Sequence, residues 1–269
     1  MLEIPPRQLI TSVYGLYARA EHDWLSVASL VRLMADLGVD AASVRSSVSR
    51  LKKRDILRSV KVDGRAGYAL APAALEILRE GDERIFSRTR ARPEDGWLVV
   101  VFSVPESQRE RRHALRSQLA RLGFGTAAPG VWVAPATLRD ETVRALDRRD
   151  LTAYTEMFSG DYLGAGEVSE KLAEWWDLTD LDRRYAEFHD AYAPVRARCA
   201  SAAPEPAEAF RTYVPMLTAW RRLPYLDPGL PLELLSDDWS GLAAEQLFAE
   251  LDELLRAPAE KHAKAVLHA

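Results

Sequence analysis

Between Arg45 and Arg65 the chain carries eight cations (Arg45, Arg50, Lys52, Lys53, Arg54, Arg58, Lys61 and Arg65) and two anions, Asp55 and Asp63. Guanidinium and ammonium groups at this density suit a polyanion, because each can neutralise a phosphate and release its counterion. Their spacing says more. Ala41, Val44, Val48 and Leu51 recur at helical intervals, and at about 100° per residue Ala42, Ser46, Ser49, Arg50 and Lys53 gather on the opposite face, flanked by Arg45 and Arg54. Short side chains there let a helix approach a groove floor, while Arg and Lys reach base edges or phosphates. After the helix, Ile56, Val60 and Val62 alternate as in a strand, Asp63 and Gly64 supply a turn, and Tyr68 and Leu70 alternate again. A helix followed by a basic hairpin reads as a winged helix-turn-helix with double-stranded DNA as its partner. The expected contacts are Arg45, Ser46, Ser49, Arg50, Lys53 and Arg54 on the helix and Lys61 and Arg65 in the wing. The competing reading, an amphipathic helix with a solvated charged face, accounts poorly for the hairpin.

These residues need elements to position them. Pro6 opens a helical run in which Leu9, Val13, Leu16 and Tyr17 share a face, ending near Ala20. Ser26 caps a second helix carrying Ala28, Leu30, Val31, Met34 and Leu37, and Gly38 suits its C-terminal end. Pro72 starts a further helix through Leu78, and the Arg-rich segment that follows reads as a linker. Next, W-L-V-V-V-F-S-V-P from Trp97 is a strand too uniformly apolar to leave a face in water. A helix from about Ser107 to Leu122, G-F-G-T, a strand at Val131–Ala134, a helix from Leu138 to Leu146 and a strand near Ala153–Phe158 complete a ferredoxin-like β-α-β, β-α-β order. From Gly166 the periodicity is helical, through Leu172, Trp175 and Trp176, Leu181, Tyr185, Phe188 and Tyr192, to Leu247, Leu251, Leu254 and Leu255. The fold class expected is therefore α+β and multidomain: residues 1–83 a winged helix-turn-helix, 84–96 a linker, 97–165 ferredoxin-like and 166–269 all-α.

A length of 269 residues fits two or three compact units. The net charge of −4 divides unevenly, with +5 over residues 1–92 and −9 over the rest, as expected when only the head meets DNA. No apolar run approaches the roughly 18 residues of a membrane span, and M-L-E-I-P-P-R-Q lacks a signal-peptide pattern, so a cytoplasmic protein is expected. Cys199 is the single cysteine, and the five histidines are scattered. No zinc site, nucleophile elbow or Gly-rich phosphate loop is legible, and neither a metal nor a cofactor is implied.

Three blocks then give the chain a resemblance. They are Y-G-L-Y-A-R at Tyr14–Arg19 with V-R-S-S-V-S-R-L-K-K-R at Val44–Arg54, W-L-V-V-V-F-S-V-P-E at Trp97–Glu106 with G-F-G-T-A-A-P-G-V-W-V-A-P at Gly123–Pro135, and A-W-R-R-L-P-Y-L-D-P-G-L-P-L-E-L-L-S-D-D-W-S-G at Ala219–Gly241. In this order they resemble the PaaX family of bacterial transcriptional repressors, named for control of phenylacetate catabolism, with a GntR-like winged-helix head. There are three departures: Asp55 stands where such a helix usually ends in Gly, Thr218 where His is expected, and Ser236 where Pro is expected. The resemblance implies a repressor, not an enzyme, released from its operator by an aryl- or acyl-CoA such as phenylacetyl-CoA. For that effector Arg211, Arg221 and Arg222 could hold phosphates, and Tyr213, Trp220 and Tyr225 the acyl group. The alternative is that Trp220 and Trp239 are core and the arginines surface or ion-paired groups.

The middle segment is similar to Cas2, whose nuclease relatives end the first strand in an acidic metal ligand. Here Ser103 and Pro105 offer no carboxylate and Glu106 lies in the following turn, which argues against a metal-dependent nuclease docked by a winged helix. Asp161, near the last strand, is a lone carboxylate. A DNA-binding protein without an effector is the other alternative. Because one recognition helix reads too few base pairs for an operator, a homodimer is expected.

Overall fold

A computed structural model describes residues 4–269. Met1, Leu2 and Glu3, the first residues of the segment read as lacking a leader pattern, lie outside the described residues. Contacts divide the chain into two compact units. The first comprises the chain up to Ser87 with Glu187–Arg221 and Ala243–Ala269; the second comprises Arg88–Ala186 and Arg222–Leu242.

In the first unit α1 (Pro6–Val13) begins on proline and runs on through a π turn at Tyr14–Ala18 and a 3₁₀ turn at Arg19–Glu21. A three-residue strand, β1 (Trp24–Ser26), follows, unanticipated in the sequence. The Ser26 hydroxyl accepts from the Ser29 amide at 3.0 Å and starts α2 (Val27–Asp36). Asp40 caps α3 (Ala41–Lys53), its carboxylate accepting from the amides of Ala42 at 2.8 Å and Ser43 at 2.9 Å. The far end of α3 closes with paired bonds, Asp55 N–H to the Lys52 carbonyl and Ile56 N–H to the Leu51 carbonyl, both 3.0 Å. That closure puts Asp55 at φ +53°, a left-handed conformation that glycine adopts without a Cβ clash. Asp55→Gly is therefore expected to stabilise the first unit by about 0.5–1 kcal/mol. Urea unfolding measures this, and a destabilised variant would mean that the Asp55 side chain contributes more than its backbone costs.

β2 (Leu57–Val62) and β3 (Arg65–Leu70) form the expected hairpin, with Asp63 and Gly64 at φ +49° and +79° as a type I′ turn requires. Its inward residue on β2 is Leu57; Val62, expected on the apolar face, is 38% exposed near the tip, where no element covers it. The sheet order is β1-β3-β2. At Gly67 of β3 an added Cβ would lie 2.4 Å from both the Leu25 carbonyl oxygen and the Trp24 ring, so only glycine lets the indole lie across the hairpin. α4 (Pro72–Phe86) continues past the expected end at Leu78, because Gly81 and Arg84 are buried on its packed face and Phe86 stacks on Phe248 at 6.2 Å.

Ile10, Val13, Leu30, Leu33, Met34, Val44, Val48 and Leu51 are buried between α1, α2 and α3. Tyr14 is buried with them and donates its hydroxyl to the Tyr68 carbonyl at 3.0 Å, tying the π turn to the hairpin. α9 (Pro206–Trp220) packs on α1, and Thr218, fully buried, donates to the Val214 carbonyl at 2.6 Å and meets the Ser12 hydroxyl at 2.7 Å.

The second unit holds β4 (Trp97–Phe102), α5 (Arg109–Arg121), β5 (Gly125–Ala128), β6 (Val131–Pro135), α6 (Arg139–Asp147) and β7 (Thr155–Gly160). The strands form an antiparallel sheet in the order β5-β6-β4-β7, the ferredoxin-like arrangement. Leu98, Val100, Trp132 and Ala134 face Leu119 and Leu122 near the end of α5 and Ala145 of α6. On the other face Leu172 of α7 (Val168–Trp175) and Trp176 cover Trp97 and Val133, and the Trp176 indole donates to the Gly123 carbonyl at 2.8 Å. This cover is partial: Val101 is 37% and Phe158 60% exposed, so the sheet is not buried on both faces along its whole length.

From Val168 onward all regular elements among the described residues are helical, the rest being α8 (Leu178–Ser201), α10 (Leu223–Leu226), α11 (Ser240–Leu267) and a 3₁₀ turn at Leu232–Leu234. Asp227, after α10, is fully buried in the second unit. Its carboxylate lies 2.9 Å from the Arg90 guanidinium and 3.3 Å from that of Arg88, and accepts from the Tyr185 hydroxyl at 2.9 Å and the Gly229 amide at 2.8 Å. Burial alone would raise its pKa, but the two arginines and these hydrogen bonds outweigh that and hold it at about 2. Among the described residues no helix is long and apolar enough to cross a membrane.

Candidate nucleic-acid interface

With Val44, Val48 and Leu51 buried, α3 turns its other face outward. Arg45, Ser46, Ser49, Arg50, Lys53 and Arg54 are all exposed, whereas Ser47 lies on the buried side. Arg45, Arg50, Lys53 and Arg54 make no ion pair or side-chain hydrogen bond among the described residues, and the same holds for Arg58, Lys61 and Arg65. Lys52 is placed differently, its ammonium 5.9 Å from the centroid of the Tyr68 ring. Four unneutralised guanidinium or ammonium groups thus stand around two small hydroxyl residues, Ser46 and Ser49, on one helical surface.

The hairpin adds a distinction that a list of residues conceals. Lys61 pairs with Ala66 and Arg65 with Val62, and paired residues share a face, so Lys61 and Arg65 project from opposite faces of the ribbon. Arg58, paired with Ala69, shares a face with Arg65. It was absent from the contacts expected from sequence, although period-two counting along β2 would have placed it there. A ribbon with cations on both faces can meet two phosphates across a groove, and the guanidiniums of α3 can fork onto a base edge or phosphate.

The residues suggested for an effector differ in their surroundings. Tyr213 is buried, and its hydroxyl donates to Asp252 at 2.5 Å; burial first and this bond second push its pKa upward. It lines a cavity of about 410 Å³ with Arg19, Phe86 and Arg256. Trp220 is core: it stacks on Phe248 at 4.5 Å and donates to the Ile85 carbonyl at 3.1 Å. Arg211 is exposed, and half-buried Arg221 donates to the Gln8 carbonyl at 3.3 Å. Arg222, exposed, and Tyr225, half-buried, belong to the second unit. Ser103 and Asp161 are both exposed, and no group of three or more His, Cys, Asp or Glu is placed to hold a metal ion among the described residues.

A basic helix-and-hairpin head in a chain that also carries a ferredoxin-like sheet and long helices defines a multidomain α+β class. Residues 5–74 match the family model described as "PaaX-like protein", residues 90–172 that of the "PaaX protein central Cas2-like domain" and residues 176–265 that of the "PaaX-like protein C-terminal domain". The chain belongs to the PaaX family, and its ferredoxin-like sheet is the Cas2-like domain of that family. It is 27% identical over 246 residues to the transcriptional repressor PaaX of Escherichia coli K12, an alignment covering 89% of this chain and 77% of that protein. The fold is shared with the uncharacterized protein Rv0674 from Mycobacterium tuberculosis, with a TM-score of 0.59 and 24% identity over 94% of this chain and 96% of that one.

Proposed function

We propose that this protein is a DNA-binding transcriptional repressor and not an enzyme, with α1–α3 and the β2–β3 hairpin acting as a winged helix. The observation that carries this reading is the exposed, unneutralised basic face of α3 beside a hairpin with cations on both faces. The similarity to the Escherichia coli repressor supports it. In this reading α3 enters the major groove, Arg50 and its neighbours read base edges, and the wing holds phosphates. Two copies bind as a homodimer, and an aryl- or acyl-CoA such as phenylacetyl-CoA releases them.

Footprinting upstream of the protein's own gene, with and without phenylacetyl-CoA, tests both parts. Two protected half-sites are expected, their centres separated by one or more helical turns of roughly 10 base pairs. Saturating thioester should lower operator affinity by about 5- to 150-fold, the span of a coupling of about 1–3 kcal/mol, and free phenylacetate should do much less. Protection of a single site by a sedimenting monomer would remove the dimer, and indifference to a panel of CoA thioesters would remove the effector.

A further inference from the structure

The cavity of about 410 Å³ that Tyr213 lines lies wholly within the first unit, where the π turn at Tyr14–Ala18 meets α4, α9 and α11. Tyr17 and Phe86 supply ring surface, and Glu83 of α4 and Glu260 of α11 supply carboxylates. The volume falls in the range of small-molecule sites, which combine apolar walls with a few convergent polar groups. We infer that this cavity binds a small organic cation carrying a primary ammonium group, such as a diamine. No part of this rests on DNA binding, and the cation is distinct from the thioester effector proposed above.

A buried hydroxyl points to a ligand. Tyr17 is 5% exposed, yet its hydroxyl has no hydrogen-bond partner among the described residues, although buried hydroxyls are nearly always bonded. It stands among other groups of the cavity. Burial first, then the Tyr213 hydroxyl and the Glu260 carboxylate, push its pKa upward, so it stays neutral and keeps a lone pair to offer an N–H donor. Tyr213, whose own hydroxyl donates to Asp252, does not bond it. Leu16 and Tyr17 also belong to a π turn, a rare geometry that is frequent at functional sites.

Charge decides the class of ligand. Three carboxylates, Asp82, Glu83 and Glu260, line the cavity against two guanidiniums, Arg19 and Arg256. Both guanidiniums are engaged. Arg19 donates to Asp82 at 3.0 Å and to the Gly15 carbonyl at 2.7 Å, and Arg256 donates to Asp252 at 3.1 Å and lies 4.7 Å from the centroid of the Phe86 ring. Glu83 makes no ion pair or side-chain hydrogen bond among the described residues, and Glu260 meets Lys264 at 2.6 Å in a half-exposed pair. An anion would face two acids with both guanidiniums already taken. An ammonium would find two carboxylates for its charge and the Tyr17 oxygen for one of its N–H groups.

Isothermal titration of the full-length protein with putrescine, butylamine and tetramethylammonium tests this. One or both amines should bind; tetramethylammonium, with the charge but no N–H to give, should bind about tenfold more weakly or worse. Tyr17→Phe removes the hydroxyl alone. It should weaken the bound amine about tenfold, since a hydrogen bond to a charged group contributes at that level. It should also melt no lower than the parent, because an unsatisfied buried hydroxyl is then gone. Glu83→Gln, at an exposed and unpaired side chain, should weaken binding and leave the melt unchanged, whereas Glu253→Gln, exposed on α11 outside the cavity, should change neither. The inference is overturned if neither amine binds, if tetramethylammonium binds as tightly, if Tyr17→Phe binds as the parent does, or if Glu253→Gln loses as much. A Tyr17→Phe protein melting well below the parent would overturn it too, because the hydroxyl would then be bonded already. Operator binding without amine should be the same in Tyr17→Phe and parent, so a failure here leaves the DNA-binding reading intact.

Discussion

Replacing Asp227 by alanine should destabilise the second unit by about 3–5 kcal/mol, the usual cost of removing one partner from a buried ion cluster. Arg88 and Arg90, side chains only 11% and 12% exposed, would lose this carboxylate, and the Tyr185 hydroxyl and Gly229 amide would lose their bonds to it. Asp227→Asn keeps part of the hydrogen bonding but not the charge, so it should fall between alanine and the parent. The same carboxylate makes stability depend on pH. Its folded pKa of about 2 lies below the ordinary 3.8, so the stabilisation is fully present above about pH 4 and is lost as pH falls through 2. That difference corresponds to about 2 kcal/mol at neutral pH. Urea unfolding at pH 7 and pH 3 should show the parent losing stability while Asp227→Ala, already without it, changes less. Equal pH dependence in the two proteins would sink this assignment.

The second large effect concerns DNA. Arg50→Ala should cost about 1–3 kcal/mol on the operator and relax preference at one base position, because a bidentate base contact contributes discrimination as well as attraction. Lys61→Ala should weaken specific and random DNA alike and reduce the salt slope by about one, as expected of a phosphate contact. Neither side chain is buried, so both variants should melt with the parent. Val48→Asp should not fold, since Val48 is 3% exposed within the packed side of α3. Competition binding at fixed salt distinguishes the two surface variants. An Arg50→Ala protein with unchanged affinity and base preference would place recognition on another face or another helix.

The features legible in the sequence are those written within a few residues of one another. Ser26 and Asp40 announce helix starts, Asp63-Gly64 announces a type I′ turn, and the Val44, Val48, Leu51 stripe separates the inner side of α3 from the outer. The order of strands and helices in the ferredoxin-like unit follows from similarly local periodicity. What escaped depends on distant partners. β1 is three residues long and exists because β3, more than forty residues later, pairs with it. The sequence reads α4 as ending at Leu78, and the R-E-G-D-E-R that follows shows no apolar stripe; Gly81 and Arg84 reveal their side only through what they pack against. Arg88 and Arg90 sit in a segment that reads as a polar linker, and their carboxylate lies more than 130 residues downstream.

β2 occupies one edge of its sheet, so along one side its backbone N–H and carbonyl groups face no neighbouring strand. An open edge of this kind is a template for adding a strand from another molecule, and charged side chains on it oppose that addition. Arg58 and Lys61 are exposed along this edge. The cations available to a phosphate backbone therefore also guard the protein against sheet-extending aggregation, so removing both charges would reduce its solubility before it disturbed its folding.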